Sequence, residues 1–489
     1  MNHPKSILFL LGLLFFISSY AQEGTFSKIF SANSYDEGIA AFRMPNKTYR
    51  IIANTGAWGW GSNNIWYIAL DSNANFSWHK TMGYGGIDVA RAATTDSKGN
   101  TYIVGTSTSE SGNSYQMLFI AMDSSGTTIT KKYFGGQDWD YGNGISLIND
   151  TTIILVGETY SYANQHSDAW ILKISTSGDI IWSKTVGGDK KDAFYAIAQT
   201  PNNDIICVGN SQNYGNGSND PFLFRCNSQG DSISQIVVQD STDGCFMDIK
   251  VAADSTFYAG GYQRDTNDLY QDYLLRRYTK ANQQIWNEST LTQQMEARFN
   301  TLAFHGENIL AFGKTQKYGS EGDNIFCDLV NRYDGTWLDG FATGSLGDEY
   351  AYSVTTDTSN GDIHYLIIGT STSYDMVHSG VYLIRCNYNL EFEDTVSIDF
   401  PSGIKKSKNI SEDINIFLNP VSNKIIIINK SQKLQGNIKI YDILGKCIYQ
   451  AKSNSLSDNS IIDISNWPKA SYTVVFDSKE HTVSKIIVK

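Results

Sequence analysis

After an apolar run from Ile7 to Ile17, no stretch of the 489-residue chain approaches the roughly 20 apolar residues that a membrane-spanning helix needs, and the first run is itself too short to span. No C-x-x-C, H-x-x-x-H or H-E-x-x-H pattern offers a zinc site. There is no G-x-S-x-G, no P-loop and no G-x-G-x-x-G; Gly215-Asn216-Gly217 lacks the third glycine and a following helix. The seven histidines share no position in the repeat described below, so no catalytic constellation is legible. Positive charge is scarce over most of the chain: residues 22–400 carry 24 Lys+Arg against 43 Asp+Glu, while the remainder to the C-terminus carries 13 lysines against 7 acids. A domain this acidic repels phosphate backbones and anionic lipid, and no nucleic-acid partner is expected.

What the chain has in quantity is a repeated unit of about 52 residues. Its cleanest copy, Asp140 to Lys191, holds four short apolar stretches separated by turn residues: ISLI, TIILVG, AWILKI and DIIWSKTV. That is the pattern of a four-stranded β-meander with a long polar loop between its second and third strands. Two anchors repeat through seven copies. One is the residue after the second strand: Asn54, Gly105, Gly157, Gly209, Gly260, Gly313 and Gly369. The other is an acid before the first strand: Asp36, Asp88, Asp140, Asp192, Asp243, Glu296 and Asp348. A single such sheet leaves an apolar face uncovered, whereas seven arranged radially bury each other. The expected fold is all-β, a seven-bladed β-propeller over residues 22–398. Both Thr25–Ser31 and Glu391–Ile398 read as a fourth strand for the last blade, and the N-terminal one is favoured because pairing the chain ends locks the ring.

Residues 1–21 read as a secretory signal peptide, with His3 and Lys5, the apolar run, then Ser19 and Ala21 ahead of Gln22. Export would permit disulfides. The repeat argues against them, because Cys226 and Cys386 occupy one position in non-adjacent copies and Cys207, Cys245 and Cys327 fall inside strands; free, buried thiols are expected. Residues 399–413, with Pro401, Gly403 and three lysines, read as a linker, and residues 414–489 hold a second set of strand-like runs sufficient for a small antiparallel sandwich.

In that tail, FLNPVSNKIIIIN, IKIYDILGKCIY, IDISNWPKASYTVVF and a terminal KIIVK follow in order. They resemble the type A C-terminal sorting domain of the type IX secretion system. The matching positions are Asn419, Pro420, Asp442, Gly445, Lys446 and Tyr472; Phe417-Leu418 and Ala470-Ser471 depart from the usual pattern. The resemblance implies passage through the periplasm, engagement of the type IX machinery, and a final place outside the cell or on the outer-membrane surface. In the repeats, the turn before Trp182, with Trp78 and Trp286 near equivalent positions, is similar to the docking motif of quinoprotein-type propellers; the resemblance implies packing of the Trp between blades, and since no cofactor site can be matched in this sequence, no cofactor is expected.

The loops between second and third strands are long and rich in Tyr, Trp, Ser, Asn and Gly. Trp58, Trp60, Tyr162, Tyr214, Tyr318 and Tyr374 are candidate ligand contacts, since rigid aromatics among small polar residues stack on sugars or peptides at low entropic cost. Covering loop backbone is the alternative role for the tyrosines. The seven acids are expected around one mouth of the central channel, capping turns through backbone N–H groups, with no metal and at most weak Ca²⁺ affinity. Small residues four positions later (Ala40, Ala92, Gly144, Ala196) fit a crowded axis, against Met247, Asn300 and Tyr352. The expected function is binding of a polysaccharide or surface protein at the aromatic loop face. A glycan hydrolase or lyase using acids on that face, and a structural surface protein, are the alternatives.

Overall fold

The second and third strands of each repeat are apolar on both sides and must be covered twice, while the fourth alternates and can face water. In the repeat of Asp140–Asn149, Thr152–Thr159, Asp168–Ser175 and Ile180–Val186, the middle strands are almost wholly buried and the last exposes Ile180, Ile181, Ser183 and Thr185. The computed structural model describes residues 24–488 except 58–62, 84, 109–113, 216, 240–242, 265–269, 289–295, 317–321, 345–346, 360, 374–377, 393–395, 400–413, 420–423, 430–435, 442–445, 454–459, 469–470 and 479–481. The proposed leader and nearly all of the linker lie outside the described residues, among which there is no helix.

Seven sheets form, six of them pairing four antiparallel strands in chain order, and they are the seven blades of a β-propeller. Between neighbouring blades lie continuous apolar clusters; one joins Ile154, Val156 and Ile171 of blade 3 to Phe194, Ile205 and Phe222 of blade 4. The seventh blade uses both ends of the propeller chain. Phe26–Phe30 pairs antiparallel with Gly380–Cys386 as its fourth strand, and Val396–Asp399 pairs with Phe26–Phe30 in parallel as a fifth. The two terminal segments therefore both serve, and the propeller runs one residue further than its sequence boundary.

Strand registers correct the repeat alignment. Every innermost strand carries a β-bulge; in blade 3 it lies between Gly142 and Gly144. Next to it, a Cβ on Gly157 would fall 1.8 Å from the Tyr141 carbonyl oxygen, which is why the second strand has glycine there. The residues paired at this point in the other blades are Ala53, Gly105, Gly209, Gly261, Gly313 and Gly369, so Asn54 and Gly260 are one position off. Counting from the bulge, the equivalents of Asp36, Asp88, Asp140 and Asp192 in blades 5 to 7 are Gly244, Ala297 and Glu349, not Asp243, Glu296 and Asp348.

Three tryptophans tie blades together. A Cβ on Gly126, Gly230 or Gly335 would lie 2.2, 3.4 or 3.0 Å from Trp78, Trp182 or Trp286 of the preceding blade. The indoles of Trp182 and Trp286 donate to the Ser228 and Arg332 carbonyls at 3.2 and 3.1 Å. Cys207, Cys226, Cys245, Cys327 and Cys386 are buried free thiols, and Cys447 is an exposed one.

The tail forms two sheets. One pairs Ile414–Asn419, Lys424–Asn429 and Ser460–Asp463; the other orders Cys447–Ser453, Gly436–Tyr441, Ser471–Ser478 and Thr482–Val488. Ile425, Ile438, Ile440, Ile462 and Val474 are buried.

Candidate functional site at the channel mouth

Side chains alternate along a strand, and this decides what the acids do. The residue opening each innermost strand points into the seam between blades; the residue after it points toward the propeller axis. Asp36, Asp88, Asp140 and Asp192 are accordingly buried, and none of the seven predicted acids lines the channel. Asp36 accepts from the Ala32 N–H and the Thr55 hydroxyl, each at 2.6 Å. Asp140 accepts from the Gly136 N–H at 2.9 Å, the Ser161 hydroxyl at 2.6 Å and the Thr159 hydroxyl. Asp88 and Glu349 accept from Ser107 and Ser371 at 2.6 and 2.7 Å. Asp192 accepts from Ser211 and Asn213. Asp243, Glu296 and Asp348 sit one residue earlier, accepting from Asn219 Nδ2 at 3.0 Å, Lys314 Nζ at 3.4 Å and the Asp323 N–H at 2.9 Å.

Each seam sets the opening residue of one blade against the residue that opens the third strand of the blade before. The N–H groups of Asp88, Asp140, Asp192, Gly244, Ala297 and Glu349 donate to the carbonyls of Asn63, Tyr115, Ser167, Asn219, Gln271 and Asp323 at 2.7 to 3.0 Å. At the last seam Asp36 donates to the Ser379 hydroxyl at 2.9 Å. The opposed residues are thus Asn64–Asp88, Gln116–Asp140, Asp168–Asp192, Asp220–Gly244, Asp272–Ala297, Asn324–Glu349 and Gly380–Asp36. Six seams hold one carboxyl, and the seam of blades 3 and 4 holds two. Both crowd Gly187, where a Cβ would lie 2.2 Å from Asp168 Oδ1 and 2.7 Å from Asp192 Oδ2. Burial and then the neighbouring Asp192 push Asp168 up to about 6, and burial raises Asp192 against its hydrogen bonds. Burial likewise pushes Asp36 to about 6.

The channel itself holds a cavity of about 600 Å³. Residues one after the opening position (Glu37, Tyr141, Arg298) line it, as do bulge residues (Ile39, Arg91, Asn143, Tyr195, Met247, Asn300, Tyr352). In the corrected alignment the small ring is Ala40, Ala92, Gly144, Ala196, Thr301 and Ser353, with Asp248 the one large member. Asp248 is held by Lys250 Nζ at 2.7 Å, the Leu302 N–H at 2.8 Å and the Thr301 hydroxyl at 3.1 Å.

Of the predicted aromatic contacts, Trp58, Trp60, Tyr318 and Tyr374 lie outside the described residues. Tyr162, which is 53% exposed, and Tyr214 are tied to the connections that join neighbouring blades. Their hydroxyls donate to the Gly135 and Gly187 carbonyls, each at 2.9 Å, and their rings rest on Trp170 and Phe222 with centroids 5.5 and 5.4 Å apart. The face instead carries an aromatic group that the repeat pattern did not single out. Trp139, in the connection entering blade 3, is 47% exposed. It meets Tyr115 and Tyr160 edge-on at 6.1 and 6.0 Å, and Tyr115 stacks on Tyr141 at 5.3 Å. Since Tyr141 lines the cavity, this platform runs into the channel mouth. Trp139 and Tyr141 flank Asp140, so the anchor that marked the repeat lay between them. Among the described residues no group of three His, Cys, Asp or Glu side chains could hold a metal ion.

In the tail, Asn419 ends the first strand, Lys446 is exposed and Tyr472 is buried, its hydroxyl donating to the Pro468 carbonyl at 2.7 Å. Pro420, Asp442 and Gly445 lie outside the described residues.

No curated protein matches the chain. Among solved structures it is similar to the Pan2 WD40 domain of Neurospora crassa, at 9% identity and a TM-score of 0.45, over 72% of this chain and 89% of that one. It is also similar to the β-propeller domain of the Trilobed protease from Pyrococcus furiosus, at 8% identity and a TM-score of 0.41, over 76% and 97% of the two chains. PorZ, a surface component of the type IX secretion system of Porphyromonas gingivalis, is similar at 11% identity and a TM-score of 0.33, over 91% of this chain and 64% of that one. Residues 415–489 match the family described as a secretion system C-terminal sorting domain. The tail is a type IX sorting domain, and the seven-bladed propeller it accompanies is exported to the cell surface or beyond.

Proposed function

We propose that the exported propeller is a binding module for polysaccharide, with Trp139, Tyr115, Tyr141 and Tyr160 as the stacking platform. The observation that carries this is a half-exposed tryptophan braced by two tyrosines at the open mouth of a cavity. Packing fixes the rings before any ligand arrives, so stacking a sugar on them costs little conformational entropy. Aromatic faces accept the C–H faces of pyranose rings, while Ser114, which donates to the Gln137 and Asp138 carbonyls at 2.9 and 3.1 Å, stiffens the connection that holds Trp139.

Screening the mature protein on a glycan array, with reducing-end release measured on the same glycans, tests the reading. Binding without release, weakened at least about tenfold by Trp139→Ala, is the expected result. Release of reducing ends would assign catalysis instead, and full binding by Trp139→Ala would move the site elsewhere. A surface protein remains the second class of partner, and it is favoured if no glycan binds and the loop face captures protein.

A further inference from the structure

The cavity beneath the platform is at odds with the charge of the domain around it. Residues 22–400 are strongly acidic, yet Arg91 from blade 2 and Arg298 from blade 6 both line this one cavity. Among the described residues neither guanidinium meets a hydrogen-bonding or ionic partner, and Nε of Arg298 is sealed from solvent without one. The other cation, Lys250, is already paired with Asp248. The acids lining the cavity are also engaged or disfavoured as charges. Asp248 has three donors, Glu37 accepts from Asn54 Nδ2 at 3.2 Å, and burial raises the pKa of Glu158. On the same wall Asn300, nine-tenths buried, gives its amide N–H to the Ala351 carbonyl at 2.8 Å and leaves Oδ1 without a donor.

We infer that the channel receives the carboxylate of an acidic sugar, a uronic acid residue of the polysaccharide that stacks on Trp139, with Arg91 and Arg298 as its donors. A guanidinium matches a carboxylate through two parallel N–H donors, and a desolvated pair of this kind is stronger than a neutral hydrogen bond. A uronic acid presents such a carboxylate on a ring that can stack, which a simple carboxylate or phosphate does not. The acidic exterior repels a polyanion at long range, but that field is screened within about 8 Å at physiological salt, so contacts inside the channel decide. The inference rests on the platform reading and specifies its ligand.

The test uses the mature protein and two probes of equal length, polygalacturonate and a neutral galactan, followed by calorimetry. Expected is at least about tenfold tighter binding of polygalacturonate, lost in Arg91→Gln and in Arg298→Gln while galactan binding is unchanged. Arg91→Lys should recover part of the loss, which separates charge from misfolding, and thermal melts of each variant check the fold. Equal affinity for both probes, or arginine variants that bind polygalacturonate normally, overturns the inference and leaves the platform standing. Loss of both probes in Trp139→Ala alone supports the platform, and failure of both probes to bind the native protein overturns both readings.

Discussion

The seam between blades 1 and 2 takes its buried carboxyl from Asp88, on the innermost strand of the later blade, whereas the seam between blades 4 and 5 takes its own from Asp220, on the third strand of the earlier one. The backbone contact is the same in both. Within this fold the acceptor can therefore be supplied from either side of the seam. Its number is less free, because a second carboxyl in the same space must give up either its charge or its neighbour. Blades 3 and 4 are where that limit is exceeded, with Asp168 and Asp192 against one glycine. Asp168 responds as a crowded buried acid should, with its pKa near 6.

The comparison breaks most severely where a lone acid is removed. Asp140→Ala leaves the Thr159 and Ser161 hydroxyls without their acceptor and the Gly136 N–H with Ser161 Oγ alone, and should cost about 2 to 4 kcal/mol in a denaturant titration of the protein. Asp140→Asn keeps one acceptor oxygen and should cost less; equal losses would mean that the seam needs charge rather than an acceptor. Next in size is the creation of a second crowded seam. Ala297→Asp places a carboxyl opposite Asp272 in a buried position and should lose about 2 kcal/mol at pH 7.5, with much of that restored by adding Asp272→Asn. If Ala297→Asp is harmless, two acids per seam are no burden.

The smallest effect is also the one with a distinctive pH signature. The folded pKa of Asp168, near 6, lies above the 3.8 of the free group, so its contribution to stability is fully present below about 3.8 and is lost as pH rises through about 6. Asp36 has the same sign and window. Melting temperature should therefore rise as pH falls from 7.5 to 5, and Asp168→Asn should flatten that rise without abolishing it. A slope unchanged in Asp168→Asn would remove the pair as its source.

Periodicity made the seven blades and the tail readable, because apolar alternation and turn residues recur in every copy. It failed where function begins. Asp243, Glu296 and Asp348 passed as repeat anchors because connections between strands are rich in acids, so a neighbour one position away was available in every copy where the true position is Gly244, Ala297 or Glu349. A one-residue error in a strand reverses which way a side chain points, so in blades 5 to 7 the repeat alignment named a residue beside the seam position instead of the one in it. The bulge residues that do face the axis, Arg91 and Asn300 among them, share no chemistry and leave no periodic trace. Tyr162 and Tyr214 were visible for their composition, but only the fold reveals that loop carbonyls already occupy their hydroxyls.

The closing strand sets the order in which the ring can be completed. Phe26–Phe30 leaves a ribosome ahead of the other six blades, yet its antiparallel partner begins at Gly380 and its parallel neighbour at Val396. Six complete blades must form, or be held unformed, while that strand waits with both edges open. Closing so long a loop is entropically late and slow, and an unpaired apolar strand is a template for pairing with another chain. The interval between synthesis and closure is thus the period in which the protein is most exposed to misassembly, and it ends only when the last residues ahead of the tail have arrived.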